Sequence, residues 1–183
     1  MTRRNEATMA TDDAATRDAN DPLRIGVVGF SSPHFDQDEA RRALRRLLGA
    51  LLDRWAGASA DVEVVSGLTD QGVPKIAYEL ARELGLRTAG ISARQALRVR
   101  AGVFPVDRRV IVGERFGDES QVFVASIDAL IRVGGGPQSR AEVELFRGRF
   151  AARPDALADR LFEVEIPWFG RAKARTRRPI PER

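Results

Sequence analysis

The residues Asp128-Ala129-Leu130-Ile131-Arg132-Val133 run directly into Gly134-Gly135-Gly136-Pro137-Gln138-Ser139-Arg140-Ala141-Glu142. A short, nearly continuous apolar run reads as a buried strand. The three glycines read as a loop with no Cβ to hold a neighbour away, and Pro137 as the first residue of a helix. A strand buried on both faces and followed at once by a helix restricts the chain to folds in which helices cover a sheet. It also aims the unpaired N–H groups of a helix start at the space over the glycines, an arrangement suited to phosphate.

The same pattern recurs along the chain. Leu23-Arg24-Ile25-Gly26-Val27-Val28-Gly29 is an apolar run ended by glycine, and the turn-rich Phe30-Ser31-Ser32-Pro33 follows it. Over residues 36–55, Ala40, Leu44, Leu47, Leu51 and Trp55 fall on one helical arc, with Arg41, Arg42, Arg45, Arg46 and Asp53 outside it. Val62, Val64 and Val65 lead into Ser66-Gly67, a second strand and loop. A helix is predicted over 74–84, closed by Gly85. Further strands are predicted at 88–91, 110–112, 128–133 and 162–166, with helical stretches near 93–99 and 119–126. This alternation predicts an α/β protein, a Rossmann-like three-layer sandwich with a mostly parallel central sheet. Ligands of such sheets sit beyond the carboxyl ends of the strands, and three of those ends combine glycine with hydroxyl residues. They are Gly29 with Ser31 and Ser32, Ser66 and Gly67 with Thr69, and Gly134, Gly135 and Gly136 with Gln138 and Ser139.

Composition narrows the chemistry. The 183 residues contain no Cys and one His, which excludes thiolate catalysis and Cys-ligated zinc and leaves little scope for a His-dependent triad. Acid–base work falls to Asp and Glu, assisted by Arg, Lys or the lone Tyr78, and no metal or organic cofactor is called for. No apolar run approaches the roughly 18 residues of a membrane span, and the polar start has no signal-peptide core, so a cytoplasmic protein is expected. The charge is uneven. Residues 171–183 alone carry +5 of the formal +4, leaving the remainder near −1. The domain reading is therefore a disordered extension over 1–21, a nucleotide-binding domain over 22–170 and a basic tail over 171–183. Nucleic-acid contact is expected only through that tail, because the near-neutral body lacks the basic excess of a DNA groove.

The usual dinucleotide fingerprint needs G-x-G-x-x-G after the first strand and an acid at the end of the second. Here Gly26-Val27-Val28-Gly29 lacks that spacing and the second strand ends in Ser66. A P-loop is also absent. The two remaining loops, Ser66-Gly67-Leu68-Thr69-Asp70-Gln71-Gly72 and Gly135-Gly136-Pro137-Gln138-Ser139-Arg140-Ala141-Glu142, resemble those of the SLOG superfamily. That superfamily holds the Lonely-guy phosphoribohydrolases, also called lysine decarboxylase-like proteins, and the Rossmann domain of DNA-processing proteins. In the Lonely-guy enzymes the later loop runs P-G-G-x-G-T-x-x-E after an Asp-containing strand. Asp128, Gly135, Gly136 and Glu142 match that pattern, Ser139 replaces its Thr, Gly134 its Pro and Gln138 its next Gly. The resemblance implies phosphate binding by the glycine backbone and Ser139, assistance to base–ribose cleavage by Glu142, and a homodimer. The family's catalytic Arg falls at Glu119, with Arg115 the nearest guanidinium. An acid in place of a base reverses the local charge, so the nucleotide pocket transfers better than the reaction.

Within Gly117-Asp118-Glu119-Ser120, Asp118 and Glu119 read either as a second pair of acids reaching the ligand or as a cap and first-turn acid of the next helix. Ser31 and Ser32 read as ligand contacts or as a turn, and Thr69 and Asp70 likewise, with Asp70 as an alternative helix cap. Phe104, Trp168 and Phe169 are candidates for stacking on a base or for packing, and His34 is read as structural. Taken together, the sequence predicts a binder of a nucleotide or ADP-ribose-like ligand. If it is an enzyme, it hydrolyses an N-glycosidic bond with Glu142, Glu119 and Asp118. The rival readings are a non-catalytic nucleotide sensor and, more remotely, a DNA-binding protein.

Overall fold

The computed structural model describes residues 21–55 and 61–169. The expected N-terminal extension, apart from Asp21, and the basic tail lie outside the described residues. Six strands form one all-parallel sheet: β1 Leu23–Gly29, β2 Val62–Ser66, β3 Arg87–Ser92, β4 Arg108–Ile111, β5 Ala129–Val133 and β6 Leu161–Val164. Their spatial order is β4-β3-β2-β1-β5-β6. The connecting helices are α1 Gln37–Trp55, α2 Gly72–Glu83, α3 Ser120–Ser126, α4 Pro137–Arg149 and the short α5 Pro154–Ala158, with a 3-10 helix at Arg94–Arg98. This is the Rossmann-like three-layer α/β architecture that the alternation predicts.

Two apolar layers flank the sheet. Ile25, Val27, Val64, Ile131 and Val133 pack with Leu44, Leu48 and Leu51 of α1 and Ile76, Ala77 and Leu80 of α2. Val28, Val65, Ala89 and Leu130 pack with Phe123 and Val124 of α3 and Val143 and Phe146 of α4. Both faces of the central strands are covered, which is why their sequences are continuously apolar rather than alternating. The Asp36 carboxylate accepts from Glu39 N–H at 2.9 Å and so starts α1 where the arc of leucines begins.

Two charged residues sit inside this sheet. Glu63 of β2, 1% exposed, receives Arg24 of β1 at 3.3 Å and Arg108 of β4 at 2.5 Å. Burial raises the pKa of its carboxyl, but the two guanidiniums outweigh burial and hold it below the ordinary value. Arg132 of β5, 3% exposed, meets Glu163 of β6 at 2.7 Å and Glu165 at 2.5 Å. Its third nitrogen contact is the Gly134 carbonyl at 2.7 Å. β4 begins two residues before the predicted 110–112, because Arg108 is a strand residue whose charge is answered by Glu63. The helical stretch predicted near 93–99 is a 3-10 helix over Arg94–Arg98, too short to cover the sheet as a full helix would. No helix among the described residues is long and apolar enough to cross a membrane.

Candidate ligand-binding cleft

Strand order reverses between β1 and β5. The chain leaves β1 towards β2 and leaves β5 towards β6, so the loops after these neighbouring strands diverge and a crevice opens between them. A cleft of about 340 Å³ lies there. Of the residues predicted for the site, Ser31, Ser32, Gly67, Thr69, Glu119, Gly136, Gln138, Ser139 and Glu142 line it. Gly134, Gly135 and Asp118 do not.

The walls are held by specific bonds. Phe30 stacks on Phe35 at 5.3 Å, and its carbonyl accepts from Val73 N–H at 2.7 Å, fixing the loop after β1 against the start of α2. Ser66 Oγ donates to the Val27 carbonyl at 2.6 Å. The buried Tyr78 hydroxyl lies 2.9 Å from the carbonyls of both Gly67 and Ala89, tying the loop after β2 to β3. Burial raises the Tyr78 pKa far above its ordinary value, so this hydroxyl keeps its proton and serves as a brace. Asp70 pairs with Lys75 at 3.0 Å, while Gln71 occupies the N-cap position of α2 without a side-chain cap.

The glycine loop divides into two parts. Gly134 and Gly135 have φ of +57° and +101°, where other residues are strained. A Cβ at Gly134 would overlap the Phe30 ring, and one at Gly135 would overlap Ser139 Oγ and stand 3.1 Å from Gly29 Cα. These two glycines allow close packing beneath the cleft and do not line it. Gly136 has φ −101°, is the N-cap residue of α4, and would carry a Cβ into open space. Gly136 is therefore the glycine of the loop that opens onto the cleft. The first turn of α4 has no side-chain cap, which leaves its leading N–H groups open to the cleft. Ser139 Oγ donates back to the Gly136 carbonyl at 3.0 Å.

A polar cluster joins this first turn of α4 to the start of α3. Gln138 Nε2 donates to Glu119 Oε1 at 3.2 Å and to Glu142 Oε1 at 3.1 Å, so the two carboxylates share one amide. Ser120 Oγ donates to Glu142 at 2.9 Å, and Gly117 N–H to the other oxygen of Glu119 at 2.8 Å. Both acids are nearly buried, at 4% and 6% exposure. Burial pushes the Glu142 carboxyl above its usual value. The bonds from Gln138 and Ser120 oppose that rise, and the charge of Glu119 adds to it. Glu142 thus holds its proton more tightly than an ordinary carboxyl and can donate it.

Asp118 is occupied elsewhere. Its Oδ2 accepts from Glu114 and Arg115 N–H, both at 2.9 Å, closing the turn before α3 rather than capping that helix or facing the cleft. These bonds hold its carboxyl below the usual range. Of the aromatic candidates, Phe104 stacks on buried Tyr78, and Trp168 and Phe169 are exposed and do not line the cleft. Three aromatic residues, Phe30, Phe116 and Phe123, line the cleft, and the most exposed of them is Phe116, at 39%, for which the sequence offers no signal. It stands in a glycine-flanked loop with no apolar periodicity to mark it.

The class defined by this sheet and switch-point cleft is the Rossmann-like α/β fold, and solved structures share it. TM1055, a structural-genomics target, is 22% identical over 69% of this chain and 69% of its own, with a TM-score of 0.53. The molybdenum cofactor binding protein of Rippkaea orientalis is 19% identical, covering 80% of this chain and 91% of its own at a TM-score of 0.53. The molybdenum cofactor carrier protein of Chlamydomonas reinhardtii is 18% identical with the same coverages and a TM-score of 0.51. At these identities the likeness is one of fold. The sequence matches no protein-family model and no curated protein.

Proposed function

We propose that the chain is a SLOG-type protein that binds a phosphorylated, nucleotide-like ligand in the switch-point cleft. One observation carries this reading: an uncapped helix start at Gly136 to Ser139 and a buried pair of acids, Glu119 and Glu142, border the same cleft. The helix start suits a phosphate, and the acids suit ribose hydroxyls or the bond between ribose and base. Support for a small-molecule ligand also comes from the neighbours of the same fold that bind or carry the molybdenum cofactor.

The reaction that suits this cleft is hydrolysis of an N-glycosidic bond. Glu142 donates its proton to the departing base as the C1′–N bond breaks. Glu119 stabilises the cationic sugar and takes a proton from the water that adds to C1′. A second reading, a nucleotide sensor without turnover, is favoured by the absence of any guanidinium among the lining residues, where the resembled hydrolases place an Arg.

A panel of nucleoside monophosphates separates these readings. At 100 times Kd a true ligand stabilises the fold by about 2.7 kcal/mol, several degrees in Tm. Free-base release that disappears in Glu142→Gln supports the hydrolase, and stabilisation without release supports the sensor. A panel in which no nucleotide raises Tm refutes the proposal.

A further inference from the structure

A groove of about 440 Å³ adjoins the cleft, and Ser31, Thr69 and Phe116 line both. The two compartments differ in charge. The cleft contains Glu119 and Glu142 and no Lys, Arg or His among its lining residues, whereas the groove contains Arg100 and no carboxylate. Arg100 is exposed, and it has no hydrogen-bond or ion-pair partner among the described residues. Of the arginines nearby, Arg94 pairs with Glu114 at 2.9 Å and Arg82 donates to the Pro105 carbonyl, while Arg98 resembles Arg100 in having no partner among the described residues but does not line the groove.

The backbone that carries Arg100 is fixed relative to the cleft. Gly102 N–H donates to the Val99 carbonyl at 3.1 Å, closing a turn around it. Asp70 N–H donates to the Gly102 carbonyl at 3.1 Å, and Phe104 N–H to the Leu68 carbonyl at 2.9 Å, so the turn is tied to the loop after β2. Gln71, also in the groove wall, donates to the Ser31 carbonyl at 2.7 Å and joins this loop to the one after β1. A cation on such a support needs no loop rearrangement to meet a ligand.

We propose that the groove is an anion subsite, with Arg100 as its charge and the hydroxyls of Ser31 and Thr69 as further donors. The ligand is then an extended one. One phosphate lies at the start of α4, and a second anionic group lies beyond Phe116 at Arg100. This rests on the nucleotide reading of the cleft and narrows it from mononucleotides to molecules with two anionic groups, such as nucleoside diphosphates or bisphosphates.

The test is a calorimetric comparison of nucleoside 5′-monophosphates with the matching 5′-diphosphates and 3′,5′-bisphosphates, on the full chain and on Arg100→Ala and Arg100→Lys. The expected result is roughly tenfold tighter binding of at least one doubly anionic series by the parent chain. Arg100→Ala removes that advantage without changing monophosphate affinity, and Arg100→Lys retains most of it. Equal affinity for all series in the parent chain, or an advantage that survives Arg100→Ala, overturns the subsite. Monophosphate binding beside either result leaves the cleft reading intact, whereas no binding of any nucleotide removes both.

Discussion

Replacing Gly135 with alanine tests whether the glycine loop is built for packing or for a ligand. At φ +101° an alanine is strained by about 1–3 kcal/mol. Its Cβ would overlap Ser139 Oγ, and rotating that hydroxyl away sacrifices its 3.0 Å bond to the Gly136 carbonyl, worth about 1 kcal/mol. The 3.1 Å approach to Gly29 Cα is to backbone and gives little relief. The expected loss is about 2–4 kcal/mol by urea unfolding, or roughly 5–15 °C in Tm for a domain of this size. Because the severest overlap is with Ser139 Oγ, with Ser139 Cβ next at 3.0 Å, Ser139→Ala should recover about 1 kcal/mol of the loss in a double-mutant cycle. Gly136→Ala is the contrast: its Cβ enters open space, so folding should change by less than about 1 kcal/mol while the cleft narrows at the helix start. Equal stability of Gly135→Ala and Gly136→Ala, or no coupling to Ser139, would refute the division of the loop.

Three further outcomes concern charged groups. The native pKa of Glu142 is raised by burial above its unfolded value, so the folded state binds that proton more tightly and the wild type loses stability as pH rises from about 4.5 through the native value. Glu142→Gln carries no such loss. Its Tm advantage over the wild type should grow with pH across that window and then level off, and parallel pH profiles would sink the argument. Arg132→Met should cost about 3 kcal/mol, because the Gly134 carbonyl and Glu163 lose a buried partner. Glu165→Gln, at a site 65% exposed, should cost under about 1 kcal/mol in the same denaturation assay.

Much of this fold was legible because burial on both faces writes itself into sequence. Ile25, Val27 and Val28, or Leu130, Ile131 and Val133, leave little choice but a central parallel strand. Helix arcs and glycine stops placed α1 and α2 within a residue or two. Charged strand residues were not legible as such: Arg132 and Glu63 are buried because distant strands supply Glu163 and Arg108, and no local pattern encodes that pairing. The five-residue α5 is too short to show periodicity. At the cleft, the clustering of Ser31, Thr69, Gln138 and Glu142 followed from the rule that strand carboxyl ends converge. The roles within the cluster did not. Whether a glycine faces a ligand or a neighbour depends on Phe30 and Ser139, and whether Asp118 faces the cleft depends on the turn at Glu114 and Arg115.

The contacts of β6 bear on the order in which the molecule matures. Gly134 N–H donates to the Val164 carbonyl at 2.8 Å, and Glu163 and Glu165 orient the guanidinium that grips the Gly134 carbonyl. Both backbone groups of the loop's first glycine are therefore secured, directly or through Arg132, by residues some thirty positions later in the chain. During synthesis, β1 to β5 can pair before that segment exists, but the loop cannot be completed. The cleft floor therefore takes its final form only when the sixth strand docks, so its completion follows that of the whole sheet rather than of the central strands alone.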